Sequence, residues 1–303
     1  MQRETGTGRP AVRRRRGVTL AAALGGCALV AASATPVAAH GPGGGARYTA
    51  LGDSYTSGPF IPRQVDAGCA RSDHNYPSLV AARLHATTFE DVSCGGATTE
   101  NMWKPQGANG PQLDAVNRRS DLVTVQIGGN DIGFGSIIAT CAQVAAQDPA
   151  GDPCRRHYSV SGVDQLTVTI AKTAPKIARV LRAVHERAPR ARVVLVGYPD
   201  LLPDDGSGCA PSVPFAARDF PYLRDTGKRL NLMLRLVALW NRAEYVDTYG
   251  PTVGHDMCTP AAVRWIEPLQ PASPAAPAHP NAKGEAAMAD AVWQRLAHGR
   301  RGH

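Results

Sequence analysis

Short β-branched runs alternate with longer stretches of helically spaced apolar residues along most of this chain. Residues 47–51 predict a strand that runs straight into Gly52. Residues 76–84 carry apolar side chains at helical spacing, and residues 88–92 predict a second strand that ends at Ser93 and Cys94. The clearest early strand is residues 122–127, a β-branched run stopped by Gly128 and Gly129. Residues 163–187 predict a long amphipathic helix with Val168, Ala171, Ile177, Val180, Leu181 and Val184 largely on one face. Pro175 sits inside it and predicts a kink or a break. Residues 192–197 read as a buried strand, 222–242 as a second long helix, 244–246 as the start of the last strand, and 281–297 as the closing helix. Strands separated by helices call for an α/β fold, a three-layer αβα sandwich around a mostly parallel sheet. Ligands of such sheets sit beyond the carboxyl ends of the strands.

The first 39 residues change the charge balance. Arg13 to Arg16 form a basic start, residues 18–33 an apolar Ala-rich stretch, and Val37-Ala38-Ala39 a small-residue cleavage pattern, so residues 1–39 predict an export signal cut after Ala39. Gly25, Gly26, Thr35 and Pro36 break the apolar run, which falls short of the roughly 20 residues a membrane span needs. Cys27 reads as filler within that signal, and the arginine run leaves the export route open. Six of the 33 basic residues and one of the 25 acids lie in this segment, which leaves 27 against 24 and a net charge of +3. The high overall charge therefore belongs to the signal and points neither to nucleic acid nor to a polyanion. The remaining 40–303 fit a single domain, and six cysteines in an exported chain read as disulfides. No Cys-x-x-Cys pair or His/Cys cluster has metal-ligand spacing, and no phosphate-cradling or dinucleotide motif is present, so neither a metal nor a cofactor is expected.

Four short segments then carry the chemistry: Gly52-Asp53-Ser54-Tyr55, Ser93-Cys94-Gly95-Gly96-Ala97-Thr98, Gly128-Gly129-Asn130-Asp131 and His279-Pro280-Asn281. The first three stand where a predicted strand has just ended. Taken together, in this order, they resemble the SGNH (GDSL-type) hydrolases, and within them the secreted esterases and lipases of actinomycetes. The resemblance spans nearly the whole chain after residue 39. It implies a flavodoxin-like fold, no cofactor, and hydrolysis of a carboxylic ester through an acyl-enzyme. Ser54 is then the nucleophile and His279 the base, with the Ser54 N–H, the Gly96 N–H and the Asn130 amide as oxyanion donors. Gly95 is the neighbouring alternative, and matching Gly96-Ala97-Thr98 to the family's block favours Gly96. Asp53 and Asp131 fit better as fasteners of the loops that carry Ser54 and Asn130. The resemblance also implies the sequence-neighbour disulfides Cys69–Cys94, Cys141–Cys154 and Cys209–Cys258, the simplest of the 15 pairings six cysteines allow.

One departure from the family pattern stands out. An acid normally lies three residues before the histidine, and here that residue is Ala276. In a triad the acid fixes the imidazole tautomer and steadies its cation. Two replacements are open: a backbone carbonyl of the Pro-rich loop 268–280, that of Ala276 first, or a remote acid, Glu267 or Asp256. Apolar pairs near the motifs (Phe60-Ile61, Met102-Trp103, Trp265-Ile266) would either line an acyl groove or belong to the core. The expectation is a secreted, extracellular, monomeric lipase or esterase acting on fatty acyl esters. It has no nucleic-acid partner and no membrane segment after processing. The alternatives are a carbohydrate acetylesterase and a catalytically inactive extracellular binding protein.

Overall fold

Five strands form the central sheet: β1 (Arg47–Gly52), β2 (Thr88–Asp91), β3 (Leu122–Gln126), β4 (Arg192–Val196) and β5 (Glu244–Val246). Their spatial order is β2-β1-β3-β4-β5, and every neighbouring pair is parallel. The structure, a computed structural model, describes residues 45–298; the expected export signal at residues 1–39 lies outside them. The described residues belong to one compact unit, Gly43–His303.

Among the described residues eight α-helices accompany the sheet: α1 (Ser54–Ser57), α2 (Tyr76–Leu84), α3 (Phe134–Ala145), α4 (Pro153–Tyr158), α5 (Gln165–Arg187), α6 (Asp219–Trp240), α7 (Tyr249–Thr252) and α8 (Ala282–His298). The period-2 alternation of the strands divides the interior into two cores. Tyr48, Ala50, Leu122, Val194 and Val196 pack against Tyr76 and Val80 of α2 and Met288, Val292 and Leu296 of α8. Leu51, Val123, Val125, Val193 and Leu195 face the other way, onto Ile177, Val180 and Leu181 of α5 and Leu230 and Leu234 of α6. Both faces are covered, so β3 is buried at every position and β4 reads as a nearly continuous apolar run. The three-layer αβα arrangement expected from the sequence is the fold observed.

Differences from the sequence reading have local causes. Helix α5 runs through Pro175 without a break. Both Pro175 and Ala171, whose carbonyl loses its partner, lie on the exposed face, so no polar group is stranded in the core. The buried stripe of α5 begins at Leu166, Ile170 and Thr173, and Ala171 is exposed rather than part of it. Helix α6 starts at Asp219, earlier than residue 222, because the buried Asp219 carboxylate accepts the Cys154 and Arg155 N–H groups at 2.9 Å each. Helices α3 and α4 escaped the sequence reading. In α3 Phe134, Ile137, Ile138, Cys141 and Ala145 stand at helical spacing on one face and pack on the core.

The disulfides are Cys69–Cys94, Cys141–Cys154 and Cys209–Cys258, the sequence-neighbour pairs. The first fastens the chain leaving β2, the second joins α3 to α4, and the third ties the chain after β4 to the segment after α7.

Glu285, in the first turn of α8, is fully buried and accepts the Tyr76 N–H at the start of α2 at 2.7 Å. Its Oε1 has no partner among the described residues. Burial raises its pKa well above 4.5, and buried Asp91 adds to the shift, against the opposing Tyr76 bond. The folded state thus holds this proton more tightly than the unfolded chain. The resulting stabilisation is complete below 4.5 and is lost as pH rises through the folded value. Glu285→Gln keeps an acceptor for Tyr76 but does not titrate. Thermal melts should show it level with the parent near pH 4 and increasingly more stable toward pH 8; a gap that ignores pH would contradict this.

Candidate active site

Three strand ends lie side by side. The chain passes from β1 outward to β2 and then back across to β3, so the order reverses next to β1, where α/β sheets open their crevice. β1 delivers Ser54, β2 delivers residues 93–98, and β3 delivers residues 128–131.

At the end of β1 only glycine fits position 52, because a Cβ there would lie 2.1 Å from Thr56 Oγ1 and 2.9 Å from the Gln126 carbonyl. The Gln112 side chain clamps both polar groups of Gly52, at 2.8 and 2.9 Å. Asp53 is extended and caps α1, its Oδ1 accepting the Tyr55 N–H at 3.0 Å. Ser54 therefore begins a one-turn helix with its side chain at the surface of the crevice.

After β2, the Gly95 N–H is committed to the Cys69 carbonyl at 2.8 Å. The Gly96 N–H has no partner among the described residues. Gly96 sits at φ +78°, a left-handed conformation that favours glycine. Among protein atoms a Cβ there would meet nothing nearer than Gln106 Nε2 at 3.8 Å, so conformation rather than crowding selects it. After β3, Asn130 donates through Nδ2 to the Ala97 carbonyl at 2.9 Å. Asp131 accepts the Thr99 N–H at 2.9 Å and the Thr99 hydroxyl at 2.5 Å, so the loops after β2 and β3 are laced together.

His279 arrives from the far end of the chain, on the turn just ahead of α8. Asn281 anchors that turn: its Oδ1 accepts the Lys283 and Gly284 N–H groups, and its Nδ2 donates to Glu267 Oε1 at 2.8 Å. His279 Nε2 lies 2.7 Å from Ser54 Oγ, across 225 residues of sequence. Its Nδ1 lies 2.8 Å from the carbonyl oxygen of Pro277. The carbonyl that meets Nδ1 is thus that of Pro277 and not the expected one of Ala276, whose oxygen accepts the His279 backbone N–H at 3.2 Å. Ala278, at φ +60°, turns the chain so that the carbonyl two residues back faces the ring.

Neither candidate acid reaches the imidazole. The Glu267 carboxylate is fully buried and takes the Asn281 amide and the Ala272 and Ser273 N–H groups. Burial pushes its pKa up, but these donors and Arg264 outweigh that and hold it below 4.5. The Asp256 carboxylate caps its own turn at the Cys258 N–H, 2.8 Å away. The pKa of half-buried His279 is lowered from 6.5 by burial against the opposing Pro277 bond, which favours the neutral ring.

Residues 50–287 match the family model described as GDSL-like Lipase/Acylhydrolase. The chain belongs to the GDSL-like lipase/acylhydrolase family. It is a carboxylic-ester hydrolase. "Lipase 2" of Streptomyces coelicolor is 39% identical over 80% of this chain and 83% of its own length. An esterase of Streptomyces scabiei is 30% identical over 96% of both. Among solved structures, an extracellular lipase from Streptomyces rimosus aligns with TM-score 0.69 at 27% identity, covering 82% of this chain and 99% of its own.

This GDSL-family chain carries an apolar groove next to Tyr55, lined by Tyr55, Phe134, Ile137, Leu202, Leu223 and Leu230 among others. None of the three apolar pairs suggested by the sequence lines it. Ile61, Met102 and Ile266 are core, Phe60 is 63% exposed, Trp103 lies under the Arg179 guanidinium, and Trp265 stacks on His255.

Two tyrosines at the site were given no role by the sequence, although Tyr55 closes the first motif. Tyr55 donates to the Ala278 carbonyl at 2.6 Å and stacks on His279 with ring centroids 4.7 Å apart. Tyr198 follows β4, accepts the Gly129 N–H at 2.8 Å and donates to Asp53 Oδ2 at 2.5 Å. Position at a strand end was the one sequence clue to Tyr198. Burial raises the Asp53 carboxyl to about 7, against the bonds from Tyr198 and Tyr55. Tyr198 thus ties the Ser54 turn to the Asn130 loop. Tyr198→Phe strands a buried N–H and a buried carboxylate oxygen at once. Urea unfolding should show a loss of about 1–3 kcal/mol, and turnover should fall with it; a variant as stable as the parent would show that the tie is idle.

Proposed function

We propose that Ser54 and His279 form a catalytic dyad that cleaves fatty acyl esters through an acyl-enzyme. The observation that carries this reading is the 2.7 Å contact between Ser54 Oγ and His279 Nε2. With the Nδ1 proton held by the Pro277 carbonyl, Nε2 keeps its lone pair toward the serine. Ser54 Oγ attacks the ester carbonyl carbon and its proton passes to Nε2. The tetrahedral intermediate then collapses, and His279 returns the proton to the departing alcohol. Water repeats the sequence on the acyl-serine and releases the acid.

The developing oxyanion needs preorganised donors. The Ser54 and Gly96 N–H groups have no internal partner among the described residues, which suits them to this role. Asn130 gives one amide hydrogen to Ala97 and keeps the other, on a side chain fixed by that first bond. Gly95, whose N–H is already committed, fits less well.

The apolar groove supports a fatty acyl chain over an acetyl group, because an acetyl would leave most of that surface unused. The solved structure of a phospholipase A1 from Streptomyces albidoflavus, 25% identical with TM-score 0.68 over 83% of this chain and 99% of its own, is in keeping with a lipid ester. Three disulfides favour an oxidising compartment, and no helix among the described residues is long and apolar enough to cross a membrane. Both fit the export predicted from residues 1–39. We take the working enzyme to be a monomer.

The test is a p-nitrophenyl ester series from acetyl to palmitoyl, with Ser54→Ala as control and fluorophosphonate labelling alongside. Ser54-dependent turnover with a maximum at medium or long chains is expected; a maximum at acetyl would overturn the fatty-acyl reading. Asn130→Ala should lower kcat by about 10²–10³-fold. The groove can be tested separately at Gly227, which lines it from α6 and whose Cβ would meet nothing within 4 Å. Gly227→Leu should fill the groove, leave the helix intact, and move the chain-length optimum downward; an unchanged profile would place the acyl chain elsewhere.

A further inference from the structure

We propose that Tyr55 is the positioning residue that replaces the missing acid: its hydroxyl fixes the turn that orients His279, and its ring face steadies the imidazolium. This rests on the reading of Ser54 and His279 as nucleophile and base.

A backbone carbonyl orients an imidazole only if its own peptide plane is held. Here two consecutive planes are held. The Ala278 N–H donates to the Glu267 carbonyl at 3.0 Å, and because the trans peptide is planar, the Pro277 oxygen at the other end of that plane points the opposite way, to Nδ1. The next plane is fixed at its oxygen, which accepts the Tyr55 hydroxyl at 2.6 Å, and at its N–H, which donates to the Ala276 carbonyl at 3.2 Å. Between the planes, Ala278 sits at φ +60°, where a residue with a Cβ is disfavoured and relaxes unless held. The Tyr55 hydroxyl is the side-chain group that holds it. Burial keeps that hydroxyl protonated, and so a donor, well beyond the ordinary tyrosine range.

The ring does the second task. Its plane lies 29° from that of His279 with centroids 4.7 Å apart, inside the range over which an aromatic face attracts a cation. The other ring neighbour of His279 is Phe134, edge-on at 6.3 Å, and no charged side chain contacts the imidazole among the described residues. When Ser54 gives up its proton, the new positive charge therefore appears over Tyr55. The tyrosine is itself immobilised: Asp53 holds its N–H, and Tyr198 and Phe134 meet its ring edge-on at 5.1 and 5.8 Å. It also adjoins Ser54 in the chain, so one residue registers the base against the nucleophile.

Tyr55→Phe removes the hydroxyl and keeps the ring, and Tyr55→Leu removes both. Histidine ¹⁵N NMR, with His279→Gln to assign the signal, should show the proton of neutral His279 on Nδ1 in the parent and spread over both nitrogens in Tyr55→Phe. In Tyr55→Phe kcat should drop about tenfold with KM little changed, the worth of one neutral hydrogen bond. Tyr55→Leu should be slower again by roughly 2–5-fold. An unmoved tautomer and kcat in Tyr55→Phe would overturn the role of the hydroxyl, and a Tyr55→Leu variant no slower than Tyr55→Phe would overturn that of the ring. Should either variant fold poorly, the tautomer measured on its folded fraction decides. Fluorophosphonate labelling that survives Ser54→Ala would instead remove the dyad reading itself, an outcome distinct from either failure at Tyr55.

Discussion

Parallel pairing of β1 between β2 and β3 is the constraint on which the site depends. Parallel strands end together, so the three loops that leave them start from one edge, each within a strand spacing of the next. The outward step to β2 and the return to β3 then open a crevice at that edge. The two cores hold β1 and β3 by burying both faces of each, while the largely exposed edge strand β2 is held by its backbone pairing to β1.

Loops started close together still have to be held, and buried polar side chains do this. Gln112 clamps Gly52, Asp131 joins Thr99, and Tyr198 links Gly129 to Asp53. Each buried group brings a desolvation cost that its bonds offset. That balance shows in Asp53, raised to about 7 by burial despite two donors. Glu267 ends on the other side of it, because three N–H donors and an arginine outweigh its burial. The histidine turn is held chiefly by main-chain bonds around Glu267, with no carboxylate on the ring.

Much of this was readable from residues alone. All five central strands follow from short β-branched or apolar runs and the helices α2, α5, α6 and α8 from period-3.6 spacing, and the first three motifs point to the strand ends where Ser54, Gly96 and Asn130 stand. Helix α4 was not readable, since it is six residues pinned by Asp219 and a disulfide, whereas α3 does carry a helically spaced stripe at residues 134, 137, 138, 141 and 145. The apolar groove next to Tyr55 was not legible in the sequence. Phe60, Trp103 and Trp265 are near the motifs in sequence, whereas Ile137, Leu202, Leu223 and Leu230 meet only when α3, α6 and the chain after β4 pack together.

The sequence by itself determined the α/β architecture, the family, and which residues could carry acyl transfer, because hydrophobic period and short motifs are local properties of the chain. It also showed that no acid stands three residues before His279. What lies against the imidazole in place of a carboxylate was decided only by the tertiary structure. A positive φ at Ala278 aims the carbonyl of Pro277 rather than that of Ala276, and a tyrosine more than two hundred residues away braces the turn. Backbone direction and contacts between distant segments have no signature in a residue pattern, since they arise only when packing closes the chain on itself.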